Sequence, residues 1–103
     1  MEIYFNDSQY VIVDINPRFY EFYGTEHSGY FVPITRQDNL QRGLFGIIML
    51  PADDVEANFR HEAGHAAFAW VRVHGYAESE EESVLVIQDE LMDGFRREYG
   101  ESR

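Results

Sequence analysis

The sequence predicts an α+β fold: a small N-terminal β-sheet followed by a motif-bearing helix and a C-terminal covering helix. Two observations predict it. Aromatic and β-branched side chains crowd the chain up to Leu50, broken by turn-forming spots at Asn6-Asp7-Ser8, Asn16-Pro17 and His27-Ser28-Gly29. After Asp53 the apolar residues instead recur at helical spacing. The chain is 103 residues long, inside the usual single-domain range of roughly 100–200 residues, so residues 1–103 are expected to form one domain.

Within the first half, strands are expected near Ile3 to Phe5, Tyr10 to Ile15, Arg18 to Tyr23 and Tyr30 to Ile34, with a turn or short helix through Arg36 to Arg42. The stretch Leu44 to Leu50, LFGIIML, is continuously apolar and predicts a strand covered on both faces. Asp53-Asp54 then suits a helix start, because a carboxylate there can accept free amide hydrogens and complements the positive end of the helix. The helix is expected to run to about Val73 and stop at Gly75.

At about 100° per residue, Phe59, Ala63, Ala66, Ala67 and Trp70 gather on one side of this helix. Ala57, His61, His65 and Phe68 gather on another. The pattern predicts a helix with the sheet on one face and the second helix on the other. That second helix is expected over roughly Glu80 to Tyr99, ended by Gly100, with Val84, Leu85, Ile87, Gln88, Leu91, Met92 and Phe95 inward and Asp89, Glu90, Asp93 and Arg97 outward.

His61-Glu62-Ala63-Gly64-His65 reads H-E-x-x-H in the middle of the first long helix. Spacing of i, i+4 sets both imidazoles on one face, one turn apart, where their nitrogens can converge on Zn²⁺. Glu62 lies about 100° round the helix from His61, placed to act on a water at the metal without replacing a ligand. Polar side chains between Phe59, Ala63 and Phe68 also need a reason, since a buried unpaired imidazole is costly and a metal satisfies it.

A third ligand is required, and the downstream carboxylates compete for that role. Helical phase puts Glu81 about 40° from the inward centre of the second helix and Glu80 about 60° to the other side. Glu81 is the first candidate and Glu80 the second. His74 is a rival that has to turn back through Gly75, and Val71 occupies the position of a metzincin's third histidine, which excludes that class. His27 reads as a loop residue.

Composition narrows the chemistry further. The chain has no cysteine and its eight basic residues are all arginine, which rules out disulfides, thiolate metal sites and lysine Schiff bases. A formal charge of −11 opposes phosphate backbones and anionic membranes, so direct nucleic-acid and membrane binding are not expected. The N-terminal stretch MEIYFNDSQY lacks the features of a signal peptide, and the expected location is the cytoplasm.

From GLFGIIMLPADD, through HEAGHA, to EEESVLVIQDEL, the chain resembles small zinc metallopeptidases of phage and prophage genomes. These follow an apolar strand with acidic residues, H-E-A-x-H, and a Glu-Glu pair opening a helix. The resemblance covers about the last sixty residues and implies gluzincin-like ligation: His61 and His65 as histidine ligands, Glu81 or its neighbour Glu80 as the glutamate ligand, Glu62 as general base, Zn²⁺ as cofactor and a peptide or protein as substrate. Ser83 and Val84 depart from the family's second motif, and residues 1–40 lie outside the resemblance. Two other functions compete: an acidic phage-encoded inhibitor that imitates nucleic acid on a host protein partner, and a structural zinc module without activity.

Overall fold

The computed structural model describes residues 1–6, 8–34, 42–73 and 81–101, the last segment without the side chains of Glu81 and Glu101. Its elements run β1 (Glu2–Phe5), β2 (Gln9–Asn16), α1 (Phe19–Tyr23), β3 (Tyr30–Pro33), β4 (Leu44–Pro51), α2 (Val55–Val73) and α3 (Glu81–Glu101). This is a mixed α+β globule with a four-stranded sheet ordered β1-β2-β4-β3. The centre of the sheet is the parallel pair β2 and β4; β1 and β3 flank it antiparallel as edge strands.

Strand alternation separates the two sheet faces. Ile3, Phe5, Val11, Val13, Ile48 and Leu50 point to one face and are buried against the helices. There α2 supplies Phe59, Ala63, Ala66 and Ala67, and α3 supplies Ile87, Leu91, Met92 and Phe95. Phe59 and Phe95 stack between the helices with ring centroids 4.2 Å apart. Gly94 brings α3 onto β1, since a Cβ there would stand only 2.8 Å from Ile3 Cγ2.

Three expectations are corrected. Residues 18–23 were expected as a strand, yet Phe19–Tyr23 is a helical turn, α1. Its aromatic composition suits either state, but Asn16 Oδ1 accepts the Arg18 amide at 2.9 Å and turns the chain. Helical spacing then brings Tyr23 onto the buried Phe19, with centroids 4.8 Å apart, and pairs Arg18 with Glu21. The second correction concerns layers. α2 touches both the sheet and α3, but α3 also reaches β1, so the helices lie side by side on one sheet face. That leaves the His61 and His65 side of α2 exposed, contrary to the buried imidazoles that the apolar neighbours suggested. The third is the apolar Leu85, assigned inward, which is 55 % exposed.

α2 is described as far as Val73, and both Gly75 and, but for Arg42 itself, the turn or short helix expected through Arg36 to Arg42 lie outside the described residues. The expected stop at Gly100 is also corrected, since α3 continues through it to Glu101. At the start of α2, Asp54 O accepts the Asn58 amide at 2.9 Å and Asp53 O accepts Asn58 Nδ2 at 3.0 Å, while the Asp53 carboxylate takes the Tyr20 hydroxyl at 3.1 Å. Among the described residues, no helix is long and apolar enough to cross a membrane.

Candidate metal centre

Helix α2 places its motif by turning Ala63, Ala66 and Ala67 onto the sheet, which rotates His61 and His65 to its outer side. The two imidazoles meet there with Nε2 atoms 3.1 Å apart and rings nearly perpendicular, at 86°. Nitrogens bound to one tetrahedral zinc at roughly 2.0–2.1 Å stand about 3.3 Å apart, close to the separation of this pair. His61, Glu62 and His65 each offer a ligand atom, and these atoms lie within 4.8 Å of one another. Two borderline nitrogens are donors that suit a divalent transition metal, with the Glu62 carboxylate beside them.

Glu62 differs from the histidines in its surroundings. It is only 5 % exposed, the one charged residue among the buried side chains described. Burial raises its pKa above the ordinary carboxylate value, and the neighbouring His65 and His61 pull it partly back. A carboxylate held this way keeps the proton affinity that a general base needs.

Gly29 sits directly against this carboxylate. A Cβ at position 29 would lie 2.9 Å from Glu62 Cγ and 3.1 Å from Oε2, so the absent side chain is what lets the loop before β3 close over Glu62. Gly29→Ala is therefore expected to shift the carboxylate while both histidines stay free to bind metal. Metal titration of Gly29→Ala beside the parent, with the same stoichiometry expected for both, checks this.

The triad lines a cleft of about 560 Å³ between α2 and β3, with Glu26, His27 and Tyr30 on its other wall. His27 packs on Tyr30 with ring centroids 4.9 Å apart. The loop residues 26–29 are thus site residues that composition alone hid. A His, a Glu and a Gly clustered before a strand were the available signal, but only pairing of β3 with β4 carries them to α2.

The proposed third ligands are placed less fully. Glu81 opens α3, but its side chain, like Glu80 and His74, lies outside the described residues. Among the described residues, Gln88 of α3 lines a second cleft with His61 and His65 and donates Nε2 to Arg60 O at 3.1 Å. Set against models of protein families, curated proteins and solved structures, the chain matches none of them. Its own geometry shows a His-Glu-x-x-His triad able to hold a metal ion.

Proposed function

We propose that the protein is a zinc-dependent peptidase in which His61 and His65 hold the metal, a glutamate at the start of α3, first Glu81, completes the set, and Glu62 is the general base. The observation carrying this reading is that the convergent imidazoles and the buried Glu62 line one open cleft against an edge strand. When bound, zinc supplies Lewis acidity for the carbonyl and lowers the pKa of water. Glu62 accepts the water's proton and passes it towards the departing amine, its raised pKa suiting both transfers.

The cleft also favours an extended peptide. β3 is a sheet edge, and among the described residues its outer side is unpaired, so a substrate backbone can add there as a strand. Tyr30, Phe31 and Pro33 of β3 line the same cleft as the triad and offer apolar surface to substrate side chains. A closed structural zinc site would not need such a cleft beside its ligands.

Protein purified without chelator is expected to carry about one zinc per chain and to cut members of a peptide library, with activity lost on chelation and restored by zinc. Less than about 0.2 zinc per chain, with no uptake on titration, would falsify the reading.

A further inference from the structure

The histidine pair stands between two clefts, and the second has a different chemistry. It measures about 470 Å³ and is lined by Ala57, Arg60, His61, Gly64, His65 and Gln88. Helical phase explains the division. Glu62 lies about 100° to one side of His61, towards β3, and Arg60 lies about 100° to the other side, towards α3. Ala57 and Gly64 share Arg60's side and are small, which leaves the space open.

Arg60 is the permanent charge of this cleft. Its side chain is exposed and forms no ion pair among the described residues, whereas Arg18 and Arg96 are paired with Glu21 and Glu56. A guanidinium stays protonated throughout the usual pH range and presents a planar fork matched to a carboxylate. In a chain of net charge −11, an arginine without an ion pair among the described residues, beside the His-Glu-His triad, is a local reversal of the surface field. Gln88, half-buried and anchored on Arg60 O, adds a fixed amide to the same wall. The first cleft carries the opposite sign through Glu26.

We infer that the Arg60 and Gln88 cleft binds a substrate carboxylate, so that the protein selects peptides bearing an acidic group on that side of the bond to be cut. The inference rests on the peptidase reading, because a peptide whose carbonyl lies over the shared histidines must enter both clefts. The carboxylate comes from a free C-terminus or from an Asp or Glu side chain, and the guanidinium reads both alike.

The test is calorimetric binding to the zinc-loaded Glu62→Gln protein, in which cleavage is removed. Four acetylated tetrapeptides serve as probes: a neutral one with a free C-terminal acid, the same peptide as its amide, an Asp-containing amide and a Lys-containing amide. One or both acidic probes are expected to bind at least about 10-fold tighter than the neutral amide. Tightening by the free acid alone identifies the C-terminus, and tightening by the Asp amide identifies a side chain. A further Arg60→Gln change should abolish the difference, and Arg60→Glu should shift preference to the Lys probe. Equal affinity for all four, a preference that survives Arg60→Gln, or no binding of any probe overturns the inference. Hydrolysis by the zinc-loaded parent is scored separately: its absence sinks the peptidase reading, whereas Arg60-dependent carboxylate binding still upholds the cleft assignment.

Discussion

His65→Ala is expected to abolish stoichiometric zinc binding, weakening affinity by at least about 100-fold in a competition titration with a chromophoric chelator. The loss follows from geometry: the second Nε2, 3.1 Å from that of His61, is removed, and no other described side chain replaces it. The fold should survive, because His65 is exposed and alanine favours the helix. An unchanged far-UV circular dichroism spectrum alongside lost zinc is the expected pair of results. Full zinc uptake by His65→Ala would place the metal somewhere other than this triad.

Glu62→Gln is expected to keep zinc and to lose hydrolysis by roughly 10²- to 10⁴-fold, the usual contribution of a positioned general base. The amide has nearly the same shape but cannot accept the water's proton at neutral pH. Cleavage of a peptide library at the parental rate would remove Glu62 from the mechanism.

The same substitution has a second readout in metal-free protein. Burial raises the folded-state pKa of Glu62 above its unfolded value, so ionisation is harder in the fold than in the open chain. The sign is then settled: this group imposes no penalty below the unfolded pKa, and stability falls as pH rises from that value through the folded one. Parent protein with chelator should therefore lose stability over this window relative to Glu62→Gln. Thermal melts of both proteins across the acid range check it. Bound zinc should reverse the ordering, because a nearby dication favours the carboxylate.

Periodicity was enough to read the motif helix and its histidine face. Alanines at 63, 66 and 67 on one side and histidines at 61 and 65 on another leave little freedom in how that helix can sit. The apolar β4 was legible as a strand, but its expected cover on both faces is complete only towards the helices, where Ile48 and Leu50 are buried while Ile47 and Met49 are half-buried. Residues 18–23 were not legible. An aromatic hexapeptide such as Arg18-Phe-Tyr-Glu-Phe-Tyr23 satisfies strand propensity, and the decision fell to a turn hydrogen bond at Asn16 and to the contact between Phe19 and Tyr23.

What the sequence determined by itself is the α+β order, the helical period across α2 and the convergence of two histidines one turn apart. These depend on contacts between residues close in the chain, which local spacing encodes. Tertiary structure alone decided that both helices share one sheet face, that the loop at 26–29 closes over Glu62 through Gly29, and that Arg60 and Gln88 form a cleft opposite it. Each joins residues far apart in the chain, and their meeting depends on strand pairing and core packing that helical phase does not contain.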